Sequence, residues 1–422
     1  MAEQIDIASN IGHMHRTLEV LISLGDYTAA AHIAKTLGKT WLRHRLFSKA
    51  NHYLSILLTV PVVDTLPNQL LAPLYRSYAN VACRENCFDV AMPRFEAALA
   101  HSTDDSPFTL QVMREICWSA MMHNQPVAAL EYSKKQLELS KQTGNWNDIA
   151  QAYNLHGILT ADLGNIVEAI EILDYTRVIY EQHHDLYGIA RYLNNVGDFE
   201  RMRNNHRKAV EYFRASLSIC ETVNPVFAKM VDANLGFSLM ALGDLESAEK
   251  LFSLPYHSQD SEDLSCDSQI ICFIGLAGVR RLQHAYIESA RMISHADLKI
   301  AQTGLWLSPS DQSEYDQTVA ELHRHLTEDE IQSIHNEVFR SVEKQPQLLL
   351  DGMGRHSPLE PLTPREVEVL CLVEQGLTNR QIAAQYRISV YTVNYHLRNV
   401  YDKLNVTTRS AALHVAQEFG LI

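Results

Sequence analysis

Cysteine is scarce and poorly placed for cross-linking. The chain has seven in 422 residues, an odd number, scattered and without a C-x-x-C pair. Such usage argues against a disulfide frame or a zinc site and for reduced thiols in a cytoplasm. Cys83 and Cys87 stand one helical turn apart, too thin a pattern for a metal centre. Long apolar runs are also missing. The strongest, YLSILLTVPVV at 53–63, is too short to span a bilayer and is interrupted by Pro61. MAEQID at the start has no basic n-region, so no secretory signal and no membrane partner are expected. Catalytic signatures are absent: there is no G-x-S-x-G and no H-E-x-x-H, and the 20 histidines are dispersed. LGKT at 37–40 ends like a phosphate loop, but Ile33 occupies the place of its first glycine. DGMG at 351–354 lacks the strand that a dinucleotide fold requires. The expectation is a non-enzyme without cofactor or metal. Among alternating patterns, almost no strand signal occurs in the first 340 residues; apolar positions recur every three or four.

Charge is present but unevenly shared. The formal net charge is −14, and residues 1–357 hold all of it, with 30 basic side chains against 44 acidic. From Pro358 onward, six Lys/Arg balance six Asp/Glu. Within 376–409, Arg380, Arg387, Arg398, Lys403 and Arg409 face only Asp402, a local basic surface of the kind that meets a polyanion.

The N-terminal part carries a long period. Ala91, Ala129, Ala169, Ala209, Ala248 and Ala290 are spaced by 38, 40, 40, 39 and 42 residues. Twelve positions before each stands a small residue: Ala79, Cys117, Gly157, Gly197, Gly236 or Gly278. Five positions before most of them comes Asn86, Asn124, Gly164, Asn204 or Gly243, and Gly25 precedes Ala30 in the same way. Gly and Asn tolerate the left-handed conformation that ends a helix. Each unit therefore reads as helix, tight turn, helix, and the array as a helical solenoid. The 61-residue gap between Ala30 and Ala91 holds a longer or additional hairpin. LTEDEIQSIHNEVFRSVEKQ at 326–345 closes the array, with Thr327 and Glu330 at capping-box spacing. The Pro- and Gly-containing stretch after it, up to 361, lacks periodicity and reads as a linker.

These units resemble tetratricopeptide repeats stretched to about 40 residues, as in the maltose-regulator-like repeat domains of bacterial transcription factors, although the Trp and Tyr signature positions are mostly missing. The resemblance implies that the first helix of each unit lines a concave groove. Its frame turns Gln111, Arg114, Gln151, Asn154, Arg191, Asn194, Asp198 and Arg201 towards that groove. The plain reading of these residues is a solvated helix face. The alternative is a groove that holds carboxylates or peptide backbone by charge-assisted hydrogen bonds. Gln111 recurs as Gln151 and Asn154 as Asn194, which leans towards the groove.

The tail is written in helix signals. Thr363 can cap, Pro364 fits a first turn, Glu366 completes a capping box and Gly376 supplies the stop. A second helix starts at Thr378 with Gln381 at the matching position, a third at Ser389, and a fourth at Thr407 or Thr408, ending at Gly420. In the third, Val393, Leu397, Val400 and Leu404 form one apolar stripe, while Tyr391, Asn394, Tyr395 and Arg398 form another, polar one. Arg suits guanine edges, Asn adenine, and Tyr the backbone or a thymine methyl.

LTPRE, EVL, GLTNRQIA, IS, TV, HL, NVYDKL and the final GLI resemble the LuxR/FixJ-type DNA-binding domain nearly without gaps. By this resemblance the third helix reads bases through Asn394, Tyr395 and Arg398, and Thr378, Asn379, Arg380, Ser389, Tyr391 and Thr392 lie near phosphates. Where the family often has Lys after its Thr-Val pair, this chain has Asn394, one cation fewer and a changed base preference. The last helix implies a homodimer contact through Ala411 and Val415. Double-stranded DNA and RNA polymerase are the implied partners.

The expected fold is all-α: a tetratricopeptide-like solenoid over 1–345, a linker over 346–361, and a four-helix LuxR-type helix-turn-helix domain over 362–422. The expected function is a cytoplasmic, sequence-specific transcriptional regulator whose repeats sense a small molecule, peptide or protein. The alternative is an interaction scaffold for which DNA binding is secondary.

Overall fold

The computed structural model describes residues 2–44, 46–84, 87–102, 107–123, 125–257, 266–303, 307–343, 362, 364–386, 390–404, 406 and 408–418. Among the described residues there are helices and turns but no strand. The expected linker at 346–361 lies outside them. The chain divides into two compact units, Met1–His156 and Gly157–Ile422.

The first unit contains α1 (Ala2–Ser23), α2 (Tyr27–Arg43), α3 (Phe47–Leu57), α4 (Asn68–Arg84), α5 (Phe88–Ala100), α6 (Pro107–Met122), α7 (Pro126–Thr143) and most of α8 (Trp146–Asp162). Helices α1/α2, α4/α5 and α6/α7 are antiparallel hairpins. Among the described residues, the 61-residue gap is longer by part of a unit and not by a whole second hairpin. Beyond the α4 helix of the regular α4/α5 hairpin, the described residues of the gap add one short helix, α3, and a 3-10 turn at Val63–Thr65. Helix α3 buries Ala50, Tyr53, Leu54 and Leu57 against Ala30, Ala34, Trp41 and Leu74.

The second unit continues with α9 (Ile166–Gln182), α10 (Leu186–Met202), α11 (His206–Val223), α12 (Pro225–Ala241), α13 (Leu245–His257), α14 (Cys266–Leu282), α15 (Tyr286–Thr303), α16 (Pro309–His325) and α17 (Glu328–Glu343). The turns inside its hairpins have one construction. Gly164, Asn204, Gly243 and His284 adopt φ of 89°, 60°, 86° and 61°. The amide after each reaches back five residues: Asn165 to Thr160 O at 3.1 Å, Asn205 to Glu200 O at 2.9 Å, Asp244 to Leu239 O at 3.0 Å and Ala285 to Arg280 O at 2.9 Å. These bonds satisfy carbonyls that the helix end would otherwise orphan. His284 stands six positions before Ala290 and five before the fully buried Ser289, so the turn of this unit lies one position off the sequence column. Asn86 and Asn124 lie outside the described residues.

The small-residue column marks where paired helices cross. A Cβ on Gly197 would stand 2.7 Å from the buried Phe213 ring, and one on Gly236 would stand 2.8 Å from Phe252. In the first unit, Cys117 Sγ reaches Ala129 O at 3.4 Å. The repeat alanines 91, 129, 169, 209 and 248 are fully buried. The close of the array follows its sequence signal: Thr327 N donates to Glu330 Oε2 at 2.8 Å and Glu330 N to Thr327 Oγ1 at 3.3 Å.

The tail, also in the second unit, contains α18 (Pro364–Glu374), α19 (Asn379–Tyr386), α20 (Val390–Lys403) and α21 (Arg409–Glu418). Its own core joins Val369, Leu370, Val373, Ile382, Ala383, Val393, Leu397, Val400, Ala412 and Ala416, with Leu404 and Leu413 packed at the margin. Gly376, at φ 83°, ends α18. Thr378 N donates to Gln381 Oε1 at 2.8 Å and Gln381 N to Thr378 Oγ1 at 3.3 Å, which starts α19. No helix among the described residues is long and apolar enough to cross a membrane.

Candidate nucleic-acid interface

The helix-turn-helix is α19 and α20, joined through residues 387–389, which lie outside the described set along with Ser389. Helix α20 has 14 residues, about 21 Å. Its stripe Val393, Leu397 and Val400 is sunk into the tail core. At 100° per residue, positions 391, 395 and 398 fall on the opposite side of the axis and position 394 on its flank. By that periodicity the polar series predicted to read bases lies off the apolar stripe. Thr392 lies at the other flank.

Ion pairs change the account of the basic surface. Lys403 Nζ holds Glu366 Oε2 at 2.8 Å, with side chains 8% and 3% exposed. This pair ties the first turn of α18 to the last turn of α20 and takes Lys403 away from any phosphate. Arg409 is likewise engaged: Nη1 donates to Asn379 Oδ1 at 2.9 Å and Nη2 to Leu377 O at 2.5 Å. Asn379 is thereby held beside the exposed Thr378 and Arg380. Arg380 is 79% exposed, with Glu328 Oε2 at 3.6 Å. Of the five cations that gave the stretch its sign, two are spent inside the tail. In α21, Ala412 and Ala416 are buried and Val415 is half-buried.

The repeat residues behave differently from solvated groove residues. In the first unit, Arg76 Nη1 donates to Gln111 Oε1 at 3.4 Å, Arg76 pairs with Glu115 at 3.1 Å, and Asn80 donates to Glu115 at 2.7 Å. Gln111 also donates to Glu115 at 3.0 Å, and Arg114 donates to Gln151 Oε1. Successive inner helices α4, α6 and α8 are thereby laddered together. The recurrence of Gln111 as Gln151 serves this ladder. Asn154 is buried.

In the second unit, Asn234 Nδ2 donates to the buried Asn194 Oδ1 at 3.0 Å. Asp198 pairs with Arg201 at 2.7 Å. The Arg201 guanidinium, over the Phe237 ring at 5.1 Å, also reaches Ser310 Oγ at 2.7 Å and Asp311 Oδ1 at 3.1 Å at the start of α16. Arg191 lies 5.9 Å from the Tyr187 ring centroid. Burial and the neighbouring Asp198 push the Asp162 carboxyl up to about 7, and burial with Glu221 pushes Asp232 up to about 6. A carboxyl protonated near neutral pH can donate as well as accept. Sequence reasoning missed Asp162, Asp232, Asn234, Ser310 and Asp311. Asn234 alone had a signal, since it extends the 40-residue series of Asn154 and Asn194. Among the described residues, no group of three His, Cys, Asp or Glu side chains is placed to hold a metal ion.

Fold and surface together define a class: a helix-turn-helix module joined to a tetratricopeptide-like solenoid. Residues 360–416 match the family "bacterial regulatory proteins, luxR family", and residues 148–222 match the tetratricopeptide repeat. The chain thus carries a LuxR-type DNA-binding domain after tetratricopeptide repeats. It is 56% identical to the probable transcriptional regulatory protein SgaR of Hyphomicrobium methylovorum over 18% of this chain and 46% of that one. It is 51% identical to a nitrate/nitrite response regulator protein homologue of Haemophilus influenzae over 15% of this chain and 31% of that one. The matches therefore span less than half of either relative. Across 84% of this chain and 98% of the other, it is similar to aspartyl phosphate phosphatase F from Bacillus subtilis, at 14% identity and a TM-score of 0.46.

Proposed function

We propose that the protein is a sequence-specific, DNA-binding transcriptional regulator, with one repeat-domain surface for an effector. The domains behind this reading are the repeats over 1–345 and the DNA-binding tail over 362–422, joined by 346–361. The observation that carries it is the two-sided α20. One side is buried in the tail core, and the other presents positions 391, 395 and 398 on a helix of major-groove length. Asn394, Tyr395 and Arg398 read base edges in this proposal. Thr378, Asn379, Arg380, Ser389, Tyr391 and Thr392 position the phosphates, with the capped start of α19 assisting. One short reading helix covers too few base pairs to select a genomic site, so a homodimer joined through Ala411 and Val415 of α21 doubles it. RNA polymerase is the downstream partner.

The effector is a small molecule, peptide or protein held on the inner repeat helices. Arg191 is the best placed of the predicted residues to meet it, because Gln111, Gln151, Asn194, Asp198 and Arg201 are already bonded within the protein. Binding to a selected duplex separates the roles in the tail. Arg398→Ala should lose about 1–3 kcal/mol and relax preference at one base position. Arg380→Ala should weaken all sequences alike and flatten the salt dependence. Identical, sequence-independent losses from both variants would refute the division of labour.

A further inference from the structure

In a helical array each repeat ordinarily touches only its neighbours. Helices α10 and α16 of the second unit break this rule. Arg201, in the last turn of α10, donates from Nη2 to Ser310 Oγ at 2.7 Å and to Asp311 Oδ1 at 3.1 Å, in the first turn of α16. Five helices, α11 to α15, lie between them in the chain. The inner helices among these are crowded closely enough to permit the contact. The Arg201 guanidinium rests over the Phe237 ring of α12 at 5.1 Å. A Cβ on Gly278 of α14 would stand 2.6 Å from Glu314 Oε1 of α16 and 3.0 Å from Met240 of α12. The bare backbone at Gly278 thus lets α12 and α16 converge on one point of α14.

Each end of the long-range bond is provided for without the other. Arg201 keeps Asp198 of its own helix, whose Oδ1 accepts from Nε at 2.8 Å. Asp311 keeps Ser308, which donates to Oδ2 at 2.7 Å, and it keeps the positive start of α16, where a carboxylate is favoured. Parting the two leaves neither charge without a partner. Joining them gains an attraction that is largely offset by the water both must shed, since the side chains are 7% and 12% exposed. Neighbouring repeats meet in a different way, through apolar crossings such as Gly275 of α14 against the buried Phe252 ring of α13. Parting one of those exposes apolar surface with nothing to replace the contact. The polar bond is therefore the joint that can open while the array stays folded.

We propose that Arg201, Ser310 and Asp311 form a separable clasp, which switches the inner face of the second unit's repeats between a closed and an open form. In the closed form the start of α16 is held to the end of α10. In the open form each end falls back on its own partner, Asp198 or Ser308, and the apolar crossings keep neighbouring helices together. The clasp does not depend on the effector reading above, and its test needs no effector.

The test measures a distance in the full chain between two exposed sites, Arg207 on α11, the hairpin partner of α10, and Ser313 on α16. Each site carries a spin label on a keto amino acid, which leaves the native cysteines in place, and pulsed dipolar spectroscopy reads the distance distribution. Asp311→Asn keeps an oxygen for Ser308 and removes the charge facing Arg201. It should raise the ratio of the longer-distance to the shorter-distance population by about tenfold. Ser310→Ala spares both charges and should raise it less. Asp316→Asn makes the same charge change on an exposed residue of α16 and should leave the distribution as it was. In an Arg201→Gln background, Asp311→Asn should add nothing, because its partner is already gone; a further shift there would mean that α16 frays by itself, and would overturn the proposal. Unchanged distances in both Asp311→Asn and Ser310→Ala overturn it as well, as does a shift that Asp316→Asn reproduces. A lowered unfolding midpoint with unchanged distances would mark a fixed structural tie and has the same consequence. If Arg201→Gln does not fold, the comparison of Asp311→Asn and Ser310→Ala with Asp316→Asn decides alone.

Discussion

The inner helices of the repeats and the reading helix of the tail both carry polar stripes at helical spacing, yet they use them in opposite ways. In α10, α12 and α16 the stripe is consumed internally. Asn194 bonds Asn234, and Arg201 bonds Asp198, Ser310 and Asp311. In α20 the stabilising contacts among the described residues include the buried side and Lys403 at its end. The difference follows from architecture. A solenoid buries its polar inner positions against the next repeat, so each needs a partner there. The other three helices of the tail build their core on the apolar stripe of α20. Polar residues at regular spacing therefore signify cohesion in the repeats, whereas the role proposed for those of α20 is recognition.

The largest effect that could break this contrast concerns the pair that the tail does bury. Lys403→Ala removes the ammonium that offsets the charge of the Glu366 carboxylate, 3% exposed, at a cost of about 3–5 kcal/mol. Urea unfolding followed by a probe in the tail should show early loss there, with the repeats unchanged. Replacing both partners by Met and Leu should recover most of the stability. If Lys403→Ala is neutral, the tail does not depend on that pair.

Asp162→Asn probes the consumed stripe of the repeats through pH. The folded pKa is raised to about 7 from 3.8, so the native state binds the proton more tightly than the unfolded chain. Stability is then lost as pH rises from about 4 to 7. The variant should remove a penalty of roughly 2–4 kcal/mol at pH 8 and change little at pH 4. Unfolding curves at both pH values check the sign, and the opposite trend would remove Asp162 from the account.

Gly197→Ala should cost about 1–3 kcal/mol, because the new methyl meets the buried Phe213 ring. Gly157→Ala, whose neighbour Leu173 is 3.0 Å away, should cost less. A reversed order in thermal unfolding would contradict the crossing geometry. The smallest expected change is Val415→Glu: no loss on a single half-site, but weakened cooperative binding to a two-half-site operator. Equal effects on both sites would exclude α21 as the dimer contact.

Legibility followed the range of the interaction. The Thr327/Glu330 and Thr378/Gln381 boxes, the left-handed turns at Gly164, Asn204 and Gly243, and the stripe at 393, 397 and 400 were all legible, because each is settled within three or four turns of helix. His284 was not: counting five back from Ala290 gives Ala285, and the left-handed residue, with φ of 61°, lies one position earlier. The inner-face residues recur at helical spacing, but their partners could not be inferred from it. Gln111 and Gln151 repeat because the ladder between repeats requires them, and periodicity alone does not distinguish that from a ligand site.

The sequence by itself determined the period of the array, its turns, its terminal cap, and the apolar and polar sides of the reading helix. Caps, φ preferences and hydrophobic periodicity act between residues a few positions apart and are therefore written locally. Only the tertiary structure decided where the charges go. It brings Arg201 to Asp311 across 110 positions, Lys403 to Glu366 across 37, and α15 against α20. Those outcomes depend on how whole helices stack, and on the cost of leaving a buried charge unpaired, which is paid only once the stack exists.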